Sequence, residues 1–347
     1  MGQADRVAPR PALTMPAELT TVADDMAVVF AGSDVRRYDG LAPDSEVDLD
    51  GVSARTLARP PGERLATIAT ANDVHFGETQ CGIMEGLDVG PVFSSEPGEL
   101  PYPQMMNSAA VEEITALEPD AVVVKGDLTT HGTRDEYEQF LKCYGGAFGE
   151  RLHHVRGNHD GYYGETFADD APQEITLPGV VLAVLDTVIP TITEGQVSTA
   201  QLEWLDELGG RADRPVLVFG HHHVWSPASR QRPEKYFGIN PDDSERLIEV
   251  FARRPKLAGY FAGHTHRNRV RRMAATADVP FVEVACVKDF PGAWAEYRVF
   301  EGGILQVVHR ISRPDAVAWS EKTRAMFGGL YPQYSFGLMG DRCFRVC

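Results

Sequence analysis

Positive charge is scarce in this sequence: 33 lysines and arginines face 50 aspartates and glutamates, a formal net charge of −17. A long polyanion would meet a repulsive field over most of such a surface, and no block of basic residues offsets it, which argues against nucleic acid as a partner. Cysteine is sparse as well. Cys81, Cys143, Cys286, Cys343 and Cys347 are scattered and odd in number, with no Cys-x-x-Cys pair. That excludes a zinc ribbon and a disulfide framework and suits thiols in a reducing compartment. No run approaches the ~20 apolar residues that a membrane helix needs. The stretch Met1-Gly2-Gln3-Ala4-Asp5-Arg6 has no apolar core of a secretory signal. A cytoplasmic protein without membrane contact is expected. What is present is ordinary: 43% apolar and 24% charged residues over 347 positions, enough for one large α/β domain with a small appendage.

Composition changes along the chain. Residues 1–18 are rich in Pro and Ala without periodicity and read as a loose tail. Over 19–58, short alternating runs such as Ala27-Val28-Val29-Phe30 and Val35-Arg36-Arg37-Tyr38 are separated by Asp39-Gly40 and Asp50-Gly51 turns, which predicts a small antiparallel β element. Arg59-Pro60-Pro61-Gly62 reads as a linker. Over 63–312, buried-strand runs (Leu65–Thr70, Ala121–Val124, Val180–Leu185, Pro215–Phe219) alternate with helix starts at Thr133-Arg134-Asp135-Glu136, Ser198-Thr199-Ala200-Gln201 and Asp242-Asp243-Ser244-Glu245. This pattern predicts an α/β domain with helices covering a largely parallel sheet. Tyr297–Phe300 and Ile304–Val308 flank Glu301-Gly302-Gly303 as a hairpin. Residues 313–347 form a C-terminal extension that either caps the fold or makes a homo-oligomer contact.

The chemistry sits at the carboxyl ends of the strand runs, where open α/β sheets place ligands. In order come Asp73-Val74-His75, Gly126-Asp127, Gly157-Asn158-His159-Asp160, Gly220-His221-His222-His223 and Gly263-His264-Thr265-His266. Asp73 and His75 share a face if the backbone is extended, as do His264 and His266. Each cluster alone has an ordinary explanation as a capped turn, a surface pair or a half-buried strand. Together they supply seven oxygen and nitrogen donors, more than one ion needs, and no thiolate. That set suits two divalent Mn, Fe, Zn or Co ions about 3.5–4 Å apart, the arrangement used for in-line displacement at phosphorus.

The ordered series resembles the calcineurin-like metallophosphoesterase superfamily, whose pattern is Asp-x-His, Gly-Asp, Gly-Asn-His-Asp/Glu, His and Gly-His-x-His. The resemblance covers roughly residues 65 to 310 and implies the four-layer α/β/β/α sandwich, preceded here by the small β element. It implies Asp73, His75 and His266 on one ion, Asn158, His221 and His264 on the other, and Asp127 bridging. His159 would touch the scissile phosphate or protonate the leaving oxygen, and Asp160 would orient its loop. His223 stands where the family shows proline. Alignment from Phe219-Gly220 makes His221 the ligand and His222 a substrate contact or second proton donor, whereas a shift of one residue gives the ligand role to His222.

Thr130 occupies the position at which purple acid phosphatases carry a tyrosine ligand. The stretch from Gly126 to Tyr137 instead resembles the bacterial class III cyclic-nucleotide phosphodiesterase and glycerophosphodiesterase branch. The implied reaction is hydrolysis of a small phosphodiester by a hydroxide that bridges the ions. A phosphomonoesterase and a non-catalytic scaffold of the same fold are the alternatives. The loops Phe76–Pro103 and Trp225–Tyr236 are expected to wall the substrate, because specificity usually resides in loops around a fixed centre.

Overall fold

Runs of Val, Leu and Ala that are apolar at every position can only be strands buried on both faces, and the computed structural model assembles them into two six-stranded sheets. Residues 16–347 are described, apart from 85, 87, 165, 169 and 170. The expected tail lies outside the described residues through position 15, and strand begins at Glu18.

The first sheet runs, in spatial order, Cys343–Arg345, Gly303–Arg310, Ala293–Phe300, Arg64–Ala71, Ala121–Lys125 and Leu152–Val155. The second runs Arg269–Arg272, Pro280–Glu283, Leu257–Ala262, Val216–Phe219, Val180–Val184 and Gln173–Leu177. Both are mixed rather than largely parallel. The crossover strands pair in parallel, while the hairpin Ala293–Phe300/Gly303–Arg310 and the edges Gln173–Leu177 and Arg269–Arg272 pair antiparallel.

Three apolar interfaces make four layers. Ile68, Val123, Leu182, Leu217 and Phe219 interlock between the sheets, each contributing about 1.5–3 kcal/mol by burial. Helix Tyr102–Thr115 covers the first sheet through Met106 and Ala110. Helices Thr199–Arg211 and Pro241–Arg253 cover the second through Leu205, Leu208, Leu247 and Phe251. This is the α/β/β/α sandwich. No helix among the described residues is long and apolar enough to cross a membrane.

Helix starts follow local chemistry. Thr133 and Glu136 close a reciprocal capping box before Arg134–Phe140. Ser198 caps Gln201 N, but the Gln201 side chain binds the Asp186 main chain instead of returning to the cap. The third helix begins earlier than expected. Asn240 accepts from Asp243 N and Pro241 takes the first turn, where its missing N–H costs nothing.

The N-terminal element is a three-stranded antiparallel sheet, Glu18–Val22, Met26–Ala31 and Asp34–Asp39, with a hairpin Glu46–Leu49/Val52–Arg55 beside it. Met26, Val28 and Phe30 pack on Val307, Val317 and Cys343. Arg298 ties the two parts, reaching Asp24 and Asp25 at 2.6 Å each while holding the fully buried Glu296. Arg64 and His309 also bind Glu296, at 2.6 and 2.9 Å. The C-terminal extension is built into the fold. Trp319 of helix Pro314–Thr323 stacks on Tyr102 at 4.4 Å and donates to the Lys288 carbonyl, and Cys343–Arg345 completes the first sheet.

Candidate metal centre

Each motif follows the carboxyl end of a sheet strand and leaves it by a sharp bend. The bends are not the extended backbone on which the Asp-x-His and His-x-His spacing argument rests. Asp73, His75, Asp127, His264 and His266 all take positive φ, between 46° and 68°, a left-handed conformation that non-glycine residues adopt at a cost of order 1–3 kcal/mol each. The side chains still converge on one another.

Asp127 lies at the middle. Its Oδ2 is 3.5 Å from His75 Nε2 and 3.4 Å from His221 Nε2. On one side, His266 Nε2 is 3.3 Å from Asp73 Oδ1. On the other, His221 Nε2 is 3.0 Å from Asn158 Oδ1. Asp73, His75, Asp127 and His266 form one group of mutually close donors, and His221, His222 and His264 another.

Neighbouring groups aim these donors. His221 donates its Nδ1–H to the Lys125 carbonyl at 2.8 Å, which turns Nε2 inward. Asn158 donates its amide N–H to Tyr162 Oη at 2.6 Å, leaving Oδ1 toward His221. Asn72 donates to Asp73 Oδ2 and the His264 main-chain N–H to both Asp73 oxygens. Asp160 accepts from the N–H groups of Gly157, Leu128 and Thr129 and from the Thr129 hydroxyl, pinning the Asp127 loop to the Asn158 loop.

The electrostatics are those of a dry, crowded site. Burial, reinforced by His159, pushes His75 well below the ordinary histidine value; burial and His222 do the same to His264. Burial alone would raise Asp127, but His221 and His159 hold it well below the usual carboxylate range. Burial would lower His221, but Asp127 outweighs it and raises His221 to about 9. Burial and the Asp127 charge push Asp160 up to about 6. His75 Nδ1 and Nε2 and His264 Nε2 are buried with no hydrogen-bond partner among the described residues. Orphaned buried imidazole nitrogens next to carboxylates fit a cation centre, since native interiors rarely leave such atoms unpaired.

The proposed second proton donor is placed otherwise. His222 is fully buried, its Nδ1 lies 2.8 Å from Thr187 Oγ1, and its Nε2 lies 3.1 Å from the Thr193 carbonyl. It does not line the cavity over the site. Both ring nitrogens of His222 thus face protein groups, while its ring lies in the donor group with His221 and His264. His159 does line that cavity. Its main-chain N–H donates to Asp127 Oδ1 at 3.0 Å and its Nδ1 lies 2.8 Å from the Thr130 carbonyl.

The walls differ in part from expectation. Residues from Glu78 to Met84 line the cavity, but none from Trp225 to Tyr236 does. That loop folds on itself, with Trp225 donating to the Gln231 carbonyl and Arg232 lying over the Trp225 ring. Its place is taken by Phe237 and, from the C-terminal extension, Leu330, Tyr331 and Tyr334. Sequence reasoning passed over three other contributors. Lys125 is fully buried, pushed down to about 7 by burial, and donates to the Ala262 carbonyl. Lys288 and Asp289, beside the centre, pair with each other at 2.9 Å. Adjacent opposite charges within the apolar run Val287-Lys288-Asp289-Phe290 were the available signal. Arg156 and Arg267, which flank motifs, are bound to Asp186 and Glu283.

A family model described as calcineurin-like phosphoesterase matches residues 66–268. The chain is 28% identical over 191 residues to the glycerophosphodiester phosphodiesterase GpdQ of Enterobacter lignolyticus, covering 50% of this chain and 67% of that protein. It is 31% identical over 120 residues to a cAMP/cGMP dual specificity phosphodiesterase of Mycobacterium tuberculosis, covering 31% of this chain and 38% of that one. In fold it is similar to a dimetal phosphatase from Danio rerio, with a TM-score of 0.55 at 15% identity over 72% of this chain and 98% of that one.

Proposed function

Because the chain belongs to the calcineurin-like phosphoesterase family, and is thereby a metal-dependent phosphoric ester hydrolase, we propose that it cleaves a small phosphodiester of the cyclic-nucleotide or glycerophosphodiester kind at a centre of two divalent cations. The observation that carries this reading is the Asp127 carboxylate, whose Oδ2 lies 3.5 Å from His75 Nε2 and 3.4 Å from His221 Nε2, between two groups of donors. On this reading Asp73, His75 and His266 hold one cation, Asn158, His221 and His264 hold the other, and Asp127 holds both. The names borne by the relatives support a diester over a monoester.

Carboxylate, amide and imidazole suit Mn, Fe, Zn or Co. Bound cations supply Lewis acidity toward the phosphoryl oxygens and the attacking water. The protein's own share is positional. Asp160 and Gly157 fix the Asp127 and Asn158 loops against each other, so the donors need no rearrangement. Donation of Nδ1–H to the Thr130 carbonyl leaves His159 Nε2 as the ring nitrogen able to carry a proton to the departing oxygen. His222, held by Thr187 and Thr193 with its ring 4.6 Å from that of His264, is assigned a bracing role rather than proton transfer.

The test is metal analysis of the purified protein followed by turnover of bis(p-nitrophenyl) phosphate, p-nitrophenyl phosphate and cyclic nucleotides with Mn²⁺ added. Diesters are expected to turn over faster than the monoester, activity to vanish on chelation and return with Mn²⁺, and Asp127→Ala to lose both activity and metal. Full turnover after exhaustive chelation, or Asp127→Ala with normal rate and metal content, overturns the proposal. Metal binding without turnover of any ester identifies a scaffold.

A further inference from the structure

The cavity over the donor cluster has a volume of about 690 Å³, within the ~300–1,000 Å³ range of pockets that enclose a drug-sized molecule. The cluster forms its floor. Its rim is apolar and comes from three separate stretches: Ile83 and Met84, Phe237, and Leu330 with Tyr334. These five side chains are between 45% and 68% exposed. Large exposed apolar groups that gather at one mouth mark a binding surface rather than chance. Leu330 and Tyr334 lie beyond the matched region 66–268, so this wall belongs to the chain's own C-terminal extension.

Charge at the mouth is already engaged. Lys288 lines the cavity, but its ammonium is 2.6 Å from Glu78 and 2.9 Å from Asp289. Arg267 lies 5.2 Å over the Tyr334 ring and is bound to Glu283 at 2.8 Å. A second anionic group on the substrate finds no unpaired cation among the described lining residues. A cationic group seeking the Tyr334 ring meets a guanidinium already there.

We propose, resting on the phosphodiester reading above and narrowing it to an acyclic diester, that the substrate carries one bulky, uncharged, apolar ester arm of aryl character, and that Leu330 and Tyr334 select it. The phosphoryl group sits over the donor cluster and the arm lies along the rim. Ile83, Met84 and Phe237 complete the rim.

The experiment uses the full-length protein with Mn²⁺ and four diesters that share the p-nitrophenyl leaving group. The other arm is methyl, naphthyl, choline or its uncharged isostere 3,3-dimethylbutyl. The naphthyl ester is expected to exceed the methyl ester in kcat/KM by about 10–200-fold, the discrimination an apolar pocket gives. The dimethylbutyl ester should exceed the choline ester. In the double variant Leu330→Asp/Tyr334→Ala the naphthyl-to-methyl ratio should fall toward one. Leu338→Asp, which alters an equally exposed apolar residue of the same extension away from the cavity, should keep the wild-type ratio. A wild-type ratio near one, preference for choline, or a ratio that survives the double variant overturns the proposal.

Binding of diphenylphosphinate against dimethylphosphinate, measured by calorimetry, reads the wall without turnover. A tighter diphenyl compound with no diester hydrolysed supports the wall and sinks the proposed reaction. Hydrolysis of the esters with equal phosphinate affinities sinks the wall alone.

Discussion

Gly157 and Asp127 are so close that a Cβ on Gly157 would fall 2.3 Å from both the main-chain nitrogen and Oδ1 of Asp127, and 2.8 Å from His221 Nε2. The Gly157 backbone, at φ −106° and ψ −175°, is one that any residue can adopt. Space, not conformational freedom, demands glycine here. We predict that Gly157→Ala lowers kcat/KM by about 100-fold or more, the scale of a 1 Å misplacement at a reacting centre, while circular dichroism stays native. Wild-type activity in this variant would show that the two loops separate at little cost.

Asp160 joins the same loops by accepting from three main-chain N–H groups and one hydroxyl. Asp160→Ala leaves three buried N–H groups unpaired, at about 1–3 kcal/mol each. Urea unfolding should show a loss of about 3 kcal/mol or more together with reduced metal affinity, whereas Asp160→Asn should retain part of both.

His159 and His222 should separate by leaving-group chemistry. p-Nitrophenolate departs without a proton; an alkoxide does not. We predict that His159→Ala slows an alkyl-leaving diester by about 10²–10⁴-fold, the usual worth of a positioned acid, and the p-nitrophenyl diester far less. His222→Ala should weaken metal retention and slow both esters alike. Equal losses in His159→Ala would assign it a purely structural role.

Glu296 makes acid stability a sharp test of the fold. Burial alone would raise its pKa, but the His309 hydrogen bond, Arg298 and Arg64 hold it well below the ordinary 4.5. Between the folded and unfolded values the unfolded chain binds more protons, so stability rises with pH. The contribution is complete above about pH 4.5 and is lost as pH falls through the folded value. Glu296→Gln should cost about 3–5 kcal/mol at neutral pH, the price of breaking a buried charge cluster. It should also flatten the pH dependence of the melting temperature below pH 5; an unchanged acid limb would refute this.

Much of this architecture was legible because local and tertiary forces agree. Ala121–Val124 has no polar position to expose, so it had to be a central strand, and Thr133 with Glu136 announced a helix end unaided. The seven donors were legible as an ordered series. Their geometry was not: left-handed bends at Asp73, Asp127 and His264 are imposed by packing against distant loops, and no local pattern predicts them. Asn240-Pro241 was overlooked because the acidic run after it mimics a cap. The Leu330–Tyr334 wall had no signal at all, since exposed apolar residues in a short segment become a surface only when the fold brings them to the cavity. Trp225–Tyr236 failed as a wall for the opposite reason: its polar groups are engaged elsewhere, Trp225 on Gln231, Arg232 on Asp242 and Glu245, and Tyr236 on His223.

The pairing of Arg64–Ala71 with Ala293–Phe300 dictates an order of events during synthesis. The strand that leads to Asp73 leaves the ribosome more than two hundred residues before its antiparallel neighbour, and Asn72 reaches Val284 besides. Contacts of such separation form slowly and leave unpaired edges waiting. Until residue 300 has emerged, the nascent chain exposes one flank of its central strand, and chaperone demand should peak over that interval.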